Sequence, residues 1–312
     1  MIIIAEFCQN HNGDFEILKD MIHLAHENGA DYAKIQTIFA DMVSFRERFE
    51  NGIKKNGKIA SIKRPYKDEY DRLKKLEISY EKQREFIEIC KKVGIKPLTT
   101  AFTRDSVNKI KEIGFKDIKI ASYDCASTPL IADVKKIFNK IFVSTGATYD
   151  NEIENTANIL KGSNFSLLHC VTMYPTPLNE FNLSRMLYLK KLSKLVGWSD
   201  HSLTRNDGIL GTKAAIYYGA NIIERHFTIL PQKATKDGPV SINPDQLYEL
   251  KKFSKFSKKE QYEDLINSFP LYEQTYGKQK RALSDIEILN RDYFRGRFCN
   301  KDSNGNQYYN WE

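Results

Sequence analysis

Short apolar runs rich in β-branched residues alternate with longer amphipathic stretches over most of the chain. Such runs predict buried strands, and apolar residues spaced by three and four predict the helices between them. We predict eight strands, over residues 2–6, 32–37, 96–100, 117–122, 141–145, 165–171, 194–199 and 221–226. Helices are predicted over residues 15–29, 80–94, 106–114 and 208–219, and the first three end on a glycine, a common helix terminator.

Eight strands that alternate with helices indicate an α/β fold with a parallel sheet, and eight is the number that closes a (β/α)8 TIM barrel. Polar residues at the predicted strand ends recur at steps of 22 to 28 residues, with one longer step from Lys34 to Thr100. That step contains a basic stretch, 51–76, which we predict to be an insertion over the catalytic face. An open doubly wound sheet is the alternative, but residues 9–14 (QNHNGD) lack the glycine-rich turn that often follows its first strand.

The alternation of strands and helices stops near residue 265. Residues 276–312 are basic, aromatic and rich in turn-forming residues, and they show no clean period. We therefore predict a single barrel domain over residues 1–265, followed by an irregular C-terminal tail or cap over residues 266–312.

The composition is that of a soluble globular protein, with 41% hydrophobic and 28% charged residues among 312. No apolar run approaches the roughly 20 residues of a membrane helix, and the N-terminus lacks the basic region of a signal peptide. The five cysteines are odd in number and scattered without a C-x-x-C pair, which predicts reduced thiols in a cytoplasmic protein.

The formal net charge of +8 suits either a nucleic acid or small anionic substrates. Much of the excess lies in the lysine-rich stretches 54–75 and 251–260. Lysine runs of this kind are typical of solvated surfaces. We therefore predict neither a nucleic-acid partner nor a membrane partner, and expect small-molecule substrates.

Polar side chains stand at the end of nearly every predicted strand, and in a TIM barrel these ends converge on one mouth, where catalysis takes place. Two lysines among several hydroxyls suit a phosphate and a carboxylate, because ammonium groups supply charge and hydroxyls supply directed hydrogen bonds. One such residue alone is usually structural, whereas the set on successive strands predicts an anion-binding site. The residues at these ends include Glu6, Lys34, Gln36, Thr100, Lys119, Ser122, Ser144, Thr172, Ser199 and Glu224.

Two histidines end adjacent predicted strands: His201 in GWSDHS (197–202) and His226 in IIERHFT (222–228). Neutral imidazoles at similar depth on neighbouring strands can share a divalent cation, with water or a carboxylate completing its shell. A hydrogen-bonded packing role is the alternative for each histidine alone. The pair favours a metal site.

Eight motifs, in order, resemble those of the sialic acid synthase family: AEFCQNHNGD, GADYAKIQT, KIASYD, VSTGAT, HCVTMYPTP, GWSDHS, IERHFT and KDGPVSINPDQL. The resemblance covers roughly residues 1–280. It implies a (β/α)8 barrel that condenses phosphoenolpyruvate with a six-carbon, N-acetylmannosamine-type sugar to give a nonulosonic acid and phosphate. It also implies a homodimer and a divalent cation, usually manganese, with magnesium as the alternative.

The resemblance assigns roles residue by residue. It implies that His201 and His226 hold the cation. The residues that match phosphoenolpyruvate ligands are Lys34, Thr100, Lys119, Ser122, Ser144 and Ser199. Those that match positions near the metal, the sugar or the attacking water are Glu6, Gln36, Tyr174 and Asp237, of which we expect the carboxylates Glu6 and Asp237 to handle water and protons.

The sequence departs from the family pattern in three places. Thr172 stands where the family commonly has an Asn that senses the sugar, and KDG (236–238) replaces the common PDH. Family members usually continue into an antifreeze-like domain that caps the partner's active site with an arginine. Only 28 residues follow KRALS (280–284), too few for that domain. The tail either packs outside the barrel or brings an arginine to a mouth, the candidates being Arg291, Arg295 and Arg297.

Two alternatives differ in class from this prediction, and a third keeps the class but changes the sugar. A metal-dependent hydrolase would need further ligands, as in H-x-H or H-E-x-x-H, and the chain has neither motif. A non-catalytic basic barrel that binds RNA would not need the complete set of polar strand ends. A related phosphoenolpyruvate-dependent synthase would keep the chemistry but use a different aldose.

Overall fold

The computed structural model describes residues 1–312 and contains twelve strands and twelve α-helices. The strands are β1 (Ile2–Cys8), β2 (Tyr32–Thr37), β3 (Ile53–Lys55), β4 (Lys58–Ser61), β5 (Lys96–Ala101), β6 (Asp117–Ile120), β7 (Lys140–Ser144), β8 (Phe165–His169), β9 (Leu195–Asp200), β10 (Ile222–His226), β11 (Asn300–Lys301) and β12 (Gln307–Tyr308). Eight of them close a parallel barrel in the order β1-β10-β9-β8-β7-β6-β5-β2. The predicted TIM barrel is confirmed, strand for strand.

Helices follow the strands and pack around the barrel. They are α1 (Phe15–Glu27), α2 (Tyr66–Lys74), α3 (Tyr80–Val93), α4 (Arg104–Glu112), α5 (Thr128–Ile137), α6 (Asp150–Leu160), α7 (Arg185–Leu189), α8 (Thr204–Asp207), α9 (Leu210–Tyr217), α10 (Pro244–Phe253), α11 (Lys258–Ser268) and α12 (Asp285–Phe294). Local chemistry sets several of their ends: the Asp14 carboxylate accepts hydrogen bonds from the first turn of α1, and α3 ends on Gly94 at φ 96°. None of the helices is long and apolar enough to cross a membrane.

The barrel interior is filled by a layer of apolar side chains with polar side chains above it. The apolar layer is Ile4, Tyr32, Leu98, Phe142, Leu168 and Ile222, all buried in one cluster. Because side chains alternate across a strand, the residue two positions further on points the same way. Ile4 is thus followed by Glu6, Tyr32 by Lys34 and Ile222 by Glu224. We call the apolar layer the apolar plug. The polar side chains above it, at the C-terminal ends of the strands, form a polar floor.

The predicted insertion 51–76 holds an antiparallel hairpin, β3 and β4, and the helix α2. Arg72 of α2 donates to the side chain of Gln9, just after β1, at 2.6 Å. Leu73 packs in a small core with Ile38, which follows β2. The insertion therefore lies on the face where the strands end, as predicted.

The expectation of an irregular tail needs correction, because residues 285–294 form the helix α12. Ser284 and Glu287 make a reciprocal capping box: the Ser284 hydroxyl accepts from the Glu287 backbone N–H, and the Glu287 carboxylate accepts from the Ser284 N–H. Two short antiparallel strands, β11 and β12, follow. The capping signal was readable in the sequence, but the aromatic, basic composition hid the helical period.

Candidate active site

One cavity at the C-terminal ends of the barrel strands collects most of the predicted site. Eleven of the thirteen predicted residues line it: Glu6, Lys34, Gln36, Thr100, Lys119, Ser122, Ser144, Tyr174, Ser199, His201 and His226. Thr172 and Asp237 do not line it. We refer to this space as the mouth cavity.

The two exceptions lie directly beside the mouth cavity. Thr172 is buried, and a Cβ built on Gly146 would come within 2.5 Å of its Oγ1, so only glycine fits at residue 146. Asp237 accepts a hydrogen bond from the Cys8 thiol, with Sγ and Oδ2 3.0 Å apart. Both residues therefore border the site from outside its lining.

A buried network of two lysines and two glutamates forms the floor. Lys34 forms an ion pair with Glu6, and Lys119 Nζ lies 2.9 Å from Glu224 Oε1. The Ser199 hydroxyl donates to the same Glu224 oxygen at 2.8 Å. Burial opposes the ionisation of Glu224, but the positive charges of Lys119 and Lys34 outweigh it and hold the pKa of this carboxyl well below its ordinary value. The two lysine side chains are thereby held in fixed positions in a water-poor site, where burial lowers the pKa of Lys34 to about 7.

Hydroxyl groups above this floor lack partners within the protein. Ser144 Oγ is buried without a hydrogen bond, and so is Thr172 Oγ1. Buried hydroxyls are almost always hydrogen-bonded, so unpaired ones beside a cavity indicate a missing ligand or water. Together with the two lysines they suit an oxyanion such as a phosphate or a carboxylate.

Glu224 and Cys8 are the functional candidates to which sequence reasoning assigned no role. The signal for Glu224 was its spacing, because it precedes His226 by two residues and so faces the same side of β10. Cys8 carried no comparable signal. A β-bulge between Glu6 and Cys8 turns the thiol toward Asp237, and a bulge cannot be read from sequence.

His201 and His226 lie side by side, with ring centroids 5.5 Å apart. The Nδ1 atom of each ring is buried without a hydrogen-bond partner. Burial lowers the pKa of His201 to about 3 and also lowers the pKa of His226, so both rings are neutral near pH 7. A neutral imidazole with a free nitrogen is the form that binds metal.

Cys8 and Asp237 join His226 in a compact donor set. The Cys8 Sγ, a ring nitrogen of His226 and a carboxylate oxygen of Asp237 lie within 4.8 Å of one another. Burial and the neighbouring Asp237 raise the pKa of the Cys8 thiol well above its ordinary value, so Cys8 is a thiol that donates to Asp237. The nitrogen and oxygen donors here fit a divalent cation such as manganese or magnesium.

The turn GWSDHS is fixed by Asp200 rather than by its histidine. Asp200 is buried, forms an ion pair with Arg225, and accepts hydrogen bonds from the Ser202 N–H at 2.7 Å and the Thr212 hydroxyl at 2.5 Å. These contacts anchor the chain where it leaves β9. His201 is thereby left at the mouth cavity, beneath the ring of Tyr174, whose centroid lies 4.4 Å from its own.

The C-terminal tail packs on the rim of the mouth of its own barrel. Phe102 and Tyr123 line the mouth cavity on one side. Their other sides meet the tail: Phe298 lies 5.0 Å from Phe102, and Phe294 stacks on Tyr123 at 5.5 Å, centroid to centroid. Asn290 donates to the backbone carbonyl of Thr172 at 2.8 Å. The tail therefore supports two walls of the cavity from outside, although no tail residue lines the cavity itself.

None of the three candidate arginines of the tail lines the mouth cavity. Arg297 is buried at the rim and forms an ion pair with Glu69 of α2. Arg291 donates to the backbone carbonyl of Ala147 at 2.7 Å and pairs with Glu152. Arg295 also lies near Glu152, at 3.5 Å. The tail meets the site through aromatic rings, and its arginines anchor it to the barrel.

Comparison with known proteins identifies the family of the chain. The model of the NeuB family matches residues 21–262, most of the barrel. The chain belongs to the NeuB family. The predictions of a nonulosonic acid synthase family and of a carbon–carbon bond-forming transferase are confirmed by the relatives described next.

Two NeuB-family relatives and one solved structure show the extent of the likeness. The N,N'-diacetyllegionaminic acid synthase of Campylobacter jejuni is 38% identical over 256 residues, which cover 79% of this chain and 73% of that protein. The N-acetylneuraminate-9-phosphate synthase of Homo sapiens is 29% identical, with 80% and 67% covered. The solved structure is that of N-acetylneuraminic acid synthetase from Leptospira borgpetersenii in complex with citrate, with 28% sequence identity to this chain. The match covers 87% of this chain and 93% of that chain, with a TM-score of 0.70.

Proposed function

We propose that the protein condenses phosphoenolpyruvate with the open-chain form of an N-acetylated, mannosamine-type sugar, giving a nonulosonic acid and phosphate. One observation carries this proposal: a single cavity joins two buried lysines and the unpaired hydroxyl of Ser144 to two neutral histidines. The first group suits the anionic substrate, and the second suits a cation beside the sugar aldehyde. Neither half alone distinguishes this reaction from simpler anion binding or metal binding.

The anionic substrate binds at the lysine side of the cavity in this proposal. Lys34 and Lys119 neutralise its phosphate and carboxylate, which must lie close together in so small a molecule. The hydroxyl groups assigned to it are those of Thr100, Ser122, Ser144 and Ser199. Glu224 keeps Lys119 and Ser199 in place, because both contact the same carboxylate oxygen.

The reaction forms one carbon–carbon bond and, at carbon 2, replaces the carbon–oxygen bond to phosphate with one to an oxygen from water. Carbon 3 of phosphoenolpyruvate attacks the aldehyde carbon, whose oxygen takes up a proton and becomes a hydroxyl. Water adds to carbon 2, and loss of phosphate by carbon–oxygen cleavage leaves the 2-keto acid. Glu6 and Asp237 are the carboxylates assigned to accept the proton from water and to move protons at this centre.

His201 and His226 would hold the divalent cation, with Asp237 the nearest carboxylate. Their unpaired Nδ1 atoms and lowered pKa values support this assignment. A bound cation acts as a Lewis acid toward the aldehyde oxygen. We propose manganese as this cation, with magnesium as the alternative.

We expect the side of the pocket formed by Thr172 and the tail to determine which sugar binds. A second candidate is a hexose with two acetamido groups, favoured by the 38% identity to an N,N'-diacetyllegionaminic acid synthase. Phosphoenolpyruvate supplies three carbons without nitrogen, so both acetamido groups of such a product must come from the sugar. Mannosamine-type and diacetamido sugars therefore give products of different mass.

Phosphate release and product mass test the proposal together. The protein is incubated with phosphoenolpyruvate, manganese and a panel of N-acetylated hexoses, and products are weighed by mass spectrometry. We expect phosphate release that needs both the sugar and the metal, and a product with three more carbons than the sugar, on a nine-carbon backbone. Absence of release with every sugar, or release that persists in excess chelator, would overturn the proposal.

The homodimer and the cytoplasmic location are also proposals. All five cysteines are buried and unpaired, which agrees with a reducing compartment. Light scattering during size-exclusion chromatography gives the mass in solution. A mass near 72 kDa, twice that of the 36.2 kDa chain, is expected, and the mass of one chain would contradict the dimer.

A further inference from the structure

A second cavity, of about 560 Å³, lies where the tail meets the barrel. It shares no lining residue with the mouth cavity. Its volume is within the range of roughly 300–1,000 Å³ that is usual for small-molecule sites. We call it the arginine cleft, because its lining includes Arg46, Arg48, Arg291 and Arg295.

The side chains that line the arginine cleft carry more positive than negative charge. Arg48 pairs with Asp292 at 2.7 Å, and Glu152 is shared between Arg291 and Arg295. Four guanidinium groups and one carboxylate, that of Asp292, line the cleft, and the carboxylates of Glu152, Asp124 and Glu312 lie beside lining residues. A phosphate monoester carries between one and a half and two negative charges near pH 7, by analogy with phosphorylated side chains.

Arg46 is the cation of the cleft that has no carboxylate partner. Its terminal nitrogens donate to backbone carbonyls of Asp292, Tyr293 and Arg295, at 3.3, 2.6 and 3.1 Å. Its Nε atom is buried without any partner, and the same is true of Arg295 Nε. A guanidinium held rigidly by carbonyls keeps its charge near pH 7, and buried N–H groups without a partner are rare in native structures.

Flat rings form the rest of the cleft. Tyr309 and Trp311 stack with centroids 4.6 Å apart and planes 8° from parallel. Arg291 lies over the ring of Tyr149 at 4.8 Å, and Tyr149 is 47% exposed. Guanidinium groups and aromatic rings side by side bind planar ligands by stacking.

We propose that the arginine cleft binds a nucleoside monophosphate, with the phosphate held by the arginines and the base stacked against Tyr149 and Tyr309, since Arg295 lies over the ring of Trp311 at 4.9 Å. The four arginines of the lining suit the phosphate, the flat surfaces suit the base, and the volume holds a ligand of that size. This site is separate from the one assigned to phosphoenolpyruvate and the sugar.

The helix α12 connects the arginine cleft to the mouth cavity. Arg291 faces the cleft, while the neighbouring Asn290 donates to the carbonyl of Thr172. Phe294, at the end of the same helix, stacks on Tyr123 of the mouth cavity. A ligand that binds Arg291 or Arg295 contacts α12 or its C-terminal end, and α12 supports the walls of the mouth. Through this helix the bound nucleotide regulates substrate binding.

Isothermal titration calorimetry of the full chain tests the binding, without substrates. The probes are the 5'-monophosphates of adenosine, cytidine, guanosine and uridine, with the matching nucleosides and inorganic phosphate as comparisons. We expect at least one nucleotide to bind with a dissociation constant below about 1 mM. Its nucleoside and phosphate should each bind at least about tenfold more weakly, because each lacks half of the contacts. No binding by any nucleotide, or equal binding by phosphate alone, would overturn the proposal.

Two variants and a control assign the binding to the cleft. Arg48→Gln and Arg295→Gln each remove one cation from the lining and should weaken nucleotide binding about tenfold or more, as expected for a charged hydrogen bond. Arg84→Gln removes an equal charge from the exposed face of α3 and should change nothing. All three should melt near the parent temperature. Undiminished binding in both cleft variants would contradict the site.

The regulatory link has its own readout, which rests on the proposed function. Saturating nucleotide should change the KM of the sugar or of phosphoenolpyruvate, because the helix α12 contacts both the cleft and the walls of the mouth. Unchanged kinetics with nucleotide shown to be bound would overturn the link while leaving the binding site in place. Calorimetry does not depend on turnover, so a failure of the proposed reaction and a failure of this inference are distinguishable.

Discussion

Single residues at the strand ends determine what the barrel can bind. Glu6, Lys34 and Glu224 could be placed from sequence because each stands two residues after an apolar plug residue on its strand. Their partners could not be placed. Which lysine meets which glutamate depends on the stagger of neighbouring strands, and Cys8 reaches Asp237 only through a bulge.

The buried ion pairs of Glu224 predict a large effect on stability. Glu224→Gln removes the charge that Lys119 and Lys34 share, leaving two buried ammonium groups with Glu6 alone. Breaking a buried pair typically costs about 3–5 kcal/mol. Urea denaturation should show a loss of that size, whereas Glu263→Gln, on the exposed side of α11, should lose less than about 0.5 kcal/mol. Equal stability of the two variants would show that the network is not needed for folding.

The histidine pair predicts loss of activity without loss of fold. His201→Ala or His226→Ala removes one metal ligand and should lower turnover by at least ~100-fold, because Lewis-acid stabilisation is worth several kcal/mol. Manganese binding, measured by calorimetry, should weaken in parallel. His23→Ala, on the exposed face of α1, is the matched control. Wild-type manganese affinity in both site variants would refute the metal assignment.

The position of Lys119 predicts that its replacement raises the KM of one substrate more than that of the other. Lys119→Met deletes a charge-assisted contact worth about 1.5–3 kcal/mol, so the KM for phosphoenolpyruvate should rise by roughly 10- to 150-fold. The KM for the sugar should change much less. An equal rise for both substrates would point to a structural role for this lysine.

Some helices and strands can be predicted from the sequence alone, whereas others depend on contacts that form only in the folded protein. The strands and α1, α3 and α4 were predictable because apolar periodicity and terminal glycines agree along each segment. The helix α12 was not, since its face carries aromatic rings and arginines that find partners only on the rim of the barrel. Its capping box, Ser284 to Glu287, was the sole local signal.

The contact between the end of the tail and the barrel predicts a pH dependence of stability. Asp124 accepts hydrogen bonds from Asn310 of the tail and from Ser127, each at 2.9 Å. Burial nevertheless raises the pKa of Asp124 to about 6, against the opposing hydrogen bonds and the charge of Arg295. Between about pH 4 and 6 the unfolded chain releases a proton that the folded chain keeps. Stability therefore falls as pH rises through this window.

Asp124→Asn should remove this fall in stability with rising pH, because an Asn oxygen still accepts both hydrogen bonds and the side chain has no charge to bury. Relative to wild type, the variant should gain about 1–3 kcal/mol at pH 7 and little at pH 4. Urea denaturation at the two pH values measures the difference. Asp20→Asn, on the exposed face of α1, should show no such gain. If the gain in stability of the variant over wild type is smaller at pH 7 than at pH 4, the predicted direction of the pH dependence is wrong.

In the molecule as a whole, two peripheral segments form one roof over one side of the mouth. The insertion contributes α2 and the tail contributes Arg297 and Phe298, and they meet in the ion pair of Arg297 with Glu69. Phe298 also packs with Leu73 of α2 in the small core above the barrel. Segments more than 200 residues apart in sequence thus build one surface, which no local pattern could reveal.

This roof predicts how removal of the tail affects the enzyme. Deleting residues 285–312 exposes the outer sides of Phe102 and Tyr123 and frees the Thr172 carbonyl, while the barrel strands and their helices keep their own contacts. Circular dichroism should therefore report a folded barrel, and kcat/KM for the sugar should fall at least tenfold because two walls of its pocket lose support. Phe294→Ala should give part of the same effect, since it removes only the stack on Tyr123. Ile266→Ala, an exposed position on α11, is the control that changes an apolar side chain elsewhere. If truncation and Phe294→Ala both leave kcat/KM unchanged, the barrel binds its substrates without the tail.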